Sequence, residues 1–295
     1  MMNFIKFFSR RAPDGETGSQ PIAELRKAWP TAVNAYCQGQ MPEAELLQAG
    51  FAYTLRRSGR RRLVVMLSAT MAHTLQKYPF DADVLFLVDI SNTYFCVPCD
   101  GIAAMISALV RKNGYKAVDF IGCSKAGTGA LNIGARTSHL VPGTACSVYA
   151  FSPQTQIYPH HPNADFFPSY KALKPRLEAL PGLIPLLARN SDLARLDYSR
   201  LKRCLVIFGT KMKIDAFEAN RLAASKGVTL SPIVTGQHYT LGFYTIPANV
   251  DRDKARQKFA EADDPDIVAV RTDESIDEYI KVSADMGYSL AGLMR

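Results

Sequence analysis

The chain has 295 residues, a formal net charge of +8, 47% hydrophobic residues and 21% charged residues. That composition supplies a large core and excludes a disordered polypeptide, a collagen-like repeat and a small disulfide-stapled scaffold. Its longest apolar runs, Leu63–Leu67 and Val84–Val88 among them, are about five residues and far short of a bilayer span, so no transmembrane segment is expected.

Residues 1–20 read as a flexible leader, because SRRAPDGETGSQ is a polar Gly/Pro/Ser stretch and Lys6 interrupts the apolar MMNFI-FF run that a signal peptide would need. Residues 21–49 carry Leu25, Trp29, Val33 and Tyr36 at spacings of three and four, which predicts an N-terminal helical segment. FAYTLRR and RRLVVMLSA flank a Ser-Gly turn and read as an antiparallel hairpin. Arg56, Arg57, Arg60, Arg61 and Arg62 cluster at its tip. A solvated turn is the first reading of that cluster and a polyanion contact the second. No aromatic interleaving or nucleic-acid motif accompanies it, so no specific nucleic-acid binding is expected.

DVLFLVDIS is the next strand, and its continuous apolar run suits a sheet covered on both faces. GIAAMISALVRKNG is a helix stopping at Gly114. The strand KAVDFIG, the helix KAGTGALNIGARTSH, the strands CSVYAFS and LKRCLVIFG, the helix DAFEANRLAASKG and the strand VTLSPIVTG follow. This alternation predicts a doubly wound, mostly parallel α/β sheet in a three-layer sandwich, antiparallel at its first edge. The core spans 50–250. Within it, residues 155–200 break the alternation with Pro159, Pro162, Pro168, Pro175, Pro181, Pro185 and the amphipathic YKALKPRLEAL. Such an insertion at the carboxyl edge of a parallel sheet predicts a lid. Residues 251–295 read as a charged tail, helical over 251–262 and 274–293.

Of the six cysteines, Cys96, Cys123, Cys146 and Cys204 lie in or beside apolar segments, which suits free thiols in a reducing cytoplasm. Cys96-Val-Pro-Cys99 has the spacing of a metal or redox pair, but no second pair or His pair matches it. Neither role is expected.

The chemistry concentrates at Val118-Asp-Phe-Ile-Gly-Cys-Ser-Lys-Ala-Gly-Thr-Gly-Ala130, where a buried strand runs directly into a helix. So sharp a turn leaves no room for side chains two residues either side of its pivot, and Gly122 and Ala126 meet that need. The pivot, Ser124, is then presented at the sheet's carboxyl edge above a helix N-terminus. This segment resembles the nucleophile elbow of the α/β-hydrolase family, usually G-x-S-x-G, with Ala126 departing from the last glycine. The resemblance covers roughly residues 50–245. It implies a catalytic acid after a later strand and a histidine after the last one. Asp215 follows LVIFGTKMKI and His238 follows VTLSPIVTGQ, so the chain order Ser…Asp…His is the family's.

Each member has an ordinary alternative. Ser124 is also a potential helix cap, Asp215 a potential N-cap with Glu218 as the reserve acid, and His238 a plain loop residue. The family's oxyanion donors map to the Lys125 amide and to one of Ser68 or Ala69, where the His-Gly that members often carry is missing. His73 reads either as lining the site or as a surface residue. His160 and His161 read as solvated or beside substrate, and His139 as a helix-end residue.

AFSPQTQ, taken with Ser124-Lys125, is also similar to α/β-hydrolase-like proteins of bacterial surface-polysaccharide or glycoprotein export. That similarity implies acyl chemistry on a glycan or a non-catalytic binding role. The sequence therefore predicts a cytoplasmic serine hydrolase acting on a small-molecule or glycan acyl ester or thioester. The alternatives are an acyltransferase and a hydrolase-fold binder. No metal or organic cofactor is expected. A triad enzyme should lose acyl hydrolysis as its histidine protonates below about pH 6–7. The sequence does not specify an oligomeric state.

Overall fold

The computed structural model of the protein describes residues 17–18, 21–161, 165–245, 251, 253 and 273–295. Eight strands form one sheet: β1 (Thr17–Gly18), β2 (Phe51–Arg56), β3 (Arg62–Ser68), β4 (Asp83–Asp89), β5 (Ala117–Cys123), β6 (Ala145–Phe151), β7 (Arg203–Gly209) and β8 (Thr229–Ile233). Their order is β1-β2-β4-β3-β5-β6-β7-β8. From β4 to β8 every neighbouring pair is parallel, while β2 runs antiparallel to both β1 and β4. This is the mostly parallel α/β sheet that the strand–helix alternation predicted. It differs from the expectation in two details. Residues 17 and 18 of the presumed leader form β1, and β2 and β3 are not a hairpin.

The antiparallel edge is real, but β4 lies between β2 and β3. Asp83, the first residue of β4, explains why. Its carboxylate accepts the backbone N–H groups of Ser58 and Gly59 at 2.7 and 3.0 Å and the Tyr115 hydroxyl at 2.6 Å. The Ser-Gly turn is therefore tied across the start of β4 instead of closing tightly on β3. Burial pushes the Asp83 carboxyl up, but the hydrogen bonds from Tyr115 and Ser58 outweigh it and leave the carboxyl below its usual range. The arginine cluster is likewise occupied. Arg56 donates to the carbonyls of Gln76 and Tyr78, Arg57 to Asn113, and Arg60 and Arg62 pair with Asp81 and Asp119.

The central strands are buried on both faces. Leu63, Val65 and Leu67 of β3 point to one side, packing with Ile102, Met105 and Leu109 of α3 (Cys99–Asn113) and with Ala130 and Ile133 of α4 (Lys125–Leu140). Val64 and Met66 point to the other, in one cluster with Phe243 of α8 (Gly242–Thr245), Tyr279 of α9 (Asp273–Met286) and Leu290 of α10 (Leu290–Leu293). α3 ends where predicted, at Gly114 with φ +65°. The predicted N-terminal helix is two, α1 (Ile22–Cys37) and α2 (Glu43–Gly50).

The insertion between β6 and β7 carries α5 (Pro168–Ala179) and α6 (Leu183–Asn190), and α7 (Lys213–Asn220) follows β7. Phe167, Tyr170, Leu173, Leu183 and Leu187 pack with Trp29, Val33 and Leu46 and with Tyr94 from the loop after β4. The N-terminal helices and the insertion thus share a hydrophobic cluster distinct from those on the two sheet faces. Among the described residues no helix is long and apolar enough to cross a membrane. The predicted helix over 251–262 lies outside the described residues, apart from 251 and 253.

Candidate active site

Ser124 is the hinge between β5 and α4, with φ +56° and ψ −126°, a backbone conformation that a residue with a Cβ adopts only when its surroundings compel it. The compulsion is local. The Ser124 N–H donates to the Phe151 carbonyl on β6 at 2.8 Å, and its carbonyl accepts from Thr128 at 3.1 Å. A Cβ on Gly122 would lie 2.1 Å from the Ala126 carbonyl oxygen, and one on Gly127 2.9 Å from that of Phe151. Ala126 itself is fully buried in the core. The departure from G-x-S-x-G is therefore accommodated, and the close approach to β6 falls at Gly127. The Ser124 hydroxyl does not cap α4. It is buried and has no hydrogen-bond partner among the described residues, a costly state that marks a group held ready for something else.

Asp215 is the third residue of α7, whose N-cap is Met212, so the capping alternative does not apply. Both Asp215 carboxylate oxygens lie within hydrogen-bond distance of His238 Nδ1, at 2.8 and 3.0 Å, and both side chains are buried. An ionised carboxylate only accepts, so Nδ1 carries the proton and Nε2 is the basic nitrogen. Glu218, the reserve acid, is committed elsewhere. It accepts the Thr155 N–H and hydroxyl, both at 2.7 Å, and lies 2.9 Å from His161 Nε2, out of line for a hydrogen bond there.

Cross-ties join the strand ends that carry these groups. The Ser152 N–H donates to the Ile207 carbonyl on β7, the Ser152 hydroxyl bonds the Thr240 hydroxyl at 3.0 Å, and the Thr240 N–H donates to the His238 carbonyl at 2.8 Å. The ring of Phe167, from the insertion, lies 4.4 Å from the His238 ring, centroid to centroid. Phe167 carries no motif, and Ser152 lies within AFSPQTQ, where nothing in the sequence marks it as one of these cross-ties.

Lys125 opens α4, so its amide is one of the helix's unpaired first N–H groups and sits at the positive end of the dipole. Its ammonium is buried and donates to Asn92 Oδ1 at 3.2 Å. Asn92, Tyr94 and Phe95 all have positive φ (51°, 60° and 58°). That loop is wound around Asp89, whose carboxylate accepts the Thr93 and Phe95 amides at 2.9 Å and the Ser91 hydroxyl. Burial raises the Asp89 carboxyl, opposed by these hydrogen bonds and by the charges of Lys125 and Arg176. In the parallel pairing of β3 with β5, Met66 lies opposite Ile121. The Ser68 hydroxyl accepts from the Thr74 N–H at 2.9 Å.

The remaining histidines have other partners. His73 bonds the Thr54 hydroxyl at 3.0 Å and lies against Phe86, with burial lowering its pKa. His139, at the end of α4, faces Asp197, and His160 pairs with Asp165. His161 is half-enclosed by Glu218, Tyr170 and Phe217. Cys96 and Cys99 are buried, and burial pushes the Cys99 thiol up to about 12 and that of Cys96 up as well. No cluster of metal-ligating side chains occurs among the described residues.

No protein-family model and no curated protein matches the sequence. Among solved structures, the chain is similar to the capsule O-acetyltransferase of Neisseria meningitidis serogroup A, with 18% identity and a TM-score of 0.48 over 64% of this chain and 84% of that one. It is also similar to a lipase-esterase related protein from Clostridium acetobutylicum, with 13% identity and a TM-score of 0.45 over 65% and 93%. A hyperthermophilic esterase from Pyrobaculum calidifontis has 12% identity and a TM-score of 0.43 over 92% and 95%. At such identities the likeness is one of fold.

Proposed function

We propose that the protein is a serine hydrolase of ester or thioester substrates. Ser124 Oγ attacks the acyl carbonyl while His238 Nε2 takes its proton, and the tetrahedral oxyanion is received by the Lys125 amide and an amide of the Ser68–Ala69 turn. Collapse expels the leaving group, which receives the proton from His238 and leaves the acyl group on Ser124. Water, deprotonated by the same nitrogen, then releases the acid. Asp215 holds the imidazole in the required tautomer and stabilises the imidazolium. The observation that carries this reading is the buried contact of both Asp215 oxygens with His238 Nδ1, in a chain whose strained Ser124 hydroxyl is buried without a hydrogen-bond partner among the described residues.

Fluorophosphonate labelling of the wild type, Ser124→Ala and His238→Ala tests it. Stoichiometric labelling of the wild type and none of either variant is the expected result. A folded wild type that never labels would sink it in favour of a hydrolase-fold binder.

Acyl transfer to an alcohol, such as a glycan hydroxyl, is the second reading. Ser124 and His238 are both 0% exposed, with the Phe167 ring 4.4 Å from the imidazole, and where water is kept from an acyl-enzyme while an alcohol is bound beside it, the alcohol competes better for the acyl group. An acyl-enzyme that partitions to added sugar alcohols faster than to water would select this reading over the first.

A further inference from the structure

We propose that Glu278 and Tyr279 on α9 are positioning residues for His238, so that the C-terminal segment is a working part of the active site. The inference rests on the Ser–His–Asp reading above. His238 lies in the loop between β8 and α8, which is bonded within itself and to the neighbouring strand ends. Glu278 adds further bonds from outside the loop. One of its carboxylate oxygens accepts the Thr235 hydroxyl at 2.7 Å and the Gly236 N–H at 3.3 Å, and the other accepts the Gln237 side-chain amide at 2.7 Å. On the far side of the histidine, the Tyr279 hydroxyl donates to the Tyr239 carbonyl at 2.9 Å, and its ring lies 4.4 Å from that of Phe243. Two adjacent residues of one helix thus hold positions 235, 236, 237 and 239. Tyr279 is buried, which pushes its phenol far above the ordinary value, so it remains a donor across the working pH range.

α9 is itself fixed. Tyr279 and Leu290 share a cluster with Val64, Ile121 and Tyr149 on the sheet. Beyond them, Arg203 and Arg62 donate to the carbonyls of Leu293 and Met294 at 2.7 and 2.5 Å. Both arginines stand at the amino-terminal ends of their strands, and His238 at the opposite edge. The segment therefore crosses the whole sheet face, pinned at one end by arginines and holding the histidine loop at the other. Glu278 meets no reacting atom. It acts by keeping the imidazole where proton transfer is in line, and displacing a catalytic group by about 1 Å costs on the order of 10²-fold in rate.

The test uses the full chain, a fluorophosphonate probe and p-nitrophenyl acetate, with thermal unfolding alongside. Glu278→Ala should lower the labelling rate and kcat by about 10- to 100-fold with KM nearly unchanged. Glu278→Gln keeps an oxygen for Thr235 and Gly236 and should recover most of that loss. Tyr279→Phe should fall between the two. A folded Glu278→Ala that labels at the wild-type rate overturns the proposal. So does a folded Glu278→Gln as slow as the alanine variant, since that would make the charge and not the placement responsible. Should Glu278→Ala not fold, Gln237→Leu removes the side-chain bond to the second carboxylate oxygen alone, and labelling at the wild-type rate there has the same force. A wild type that does not label at all fails the Ser–His–Asp reading itself, a result read before any variant.

Discussion

At the elbow, the residues that fix Ser124 are mostly its neighbours: Gly122, Ala126 and Gly127, with Thr128 one bond further on. His238 is fixed from a distance, by Asp215 23 positions earlier, by Phe167 from the insertion and by Glu278 and Tyr279 40 to 43 positions later than their partners. The elbow is imposed by hard contact between backbone atoms, whereas the histidine's place is imposed by hydrogen bonds that other segments bring to it. Steric constraint of the first kind is inseparable from the packing of α4 on β5 and β6. Polar constraint of the second kind can be removed while the sheet stays intact.

Three substitutions break or sharpen that contrast. Asp215→Asn should have the largest effect on activity, lowering kcat by about 10³–10⁴-fold through loss of the correct imidazole tautomer. Thermal unfolding should remain a single cooperative step, and collapse of the fold would mean that the pair is structural. Gly122→Ala places a methyl 2.1 Å from a carbonyl oxygen and should cost about 3 kcal/mol or more, read from urea unfolding, with labelling lost as a consequence. Wild-type stability in that variant would show that the elbow is not sterically imposed.

His73→Gln is the smallest change, and it serves as a control on a histidine outside the site. Burial lowers the pKa of His73 below its ordinary 6.5 in the folded state, so the unfolded chain binds the proton more readily. Its contribution to stability is full above that value and fades as pH falls below it. The variant should flatten the acid side of the stability profile slightly and leave labelling unchanged. An unaltered profile would remove His73 as a titrating group.

This division also decides what could be read from the amino acids alone. Gly122, Ser124 and Gly127 are contiguous, so their pattern announces a strand-to-helix turn. Asp215 and His238 are announced by their places after successive strands. The hairpin expectation failed because β2 and β3 carry the local pattern of one. In the sheet β4 lies between them, paired antiparallel with β2 and parallel with β3, and Asp83 at its start ties down Ser58 and Gly59. Asp89, which holds a loop containing three positive φ angles, ends an ordinary-looking strand. Phe167 and Glu278 sit in stretches with no motif, and their contacts with the histidine loop exist only through partners far away in sequence.

The histidine loop depends on residues made long after it, and that sets an order of events in synthesis. When all eight strands have left the ribosome, Asp215 and His238 are present but residues 278 and 279 are still to come. A nascent chain can therefore assemble its sheet and display its serine before its base is held in line. On the serine-hydrolase reading proposed above, acyl chemistry would reach its full rate only once the C-terminal segment has been laid across the sheet.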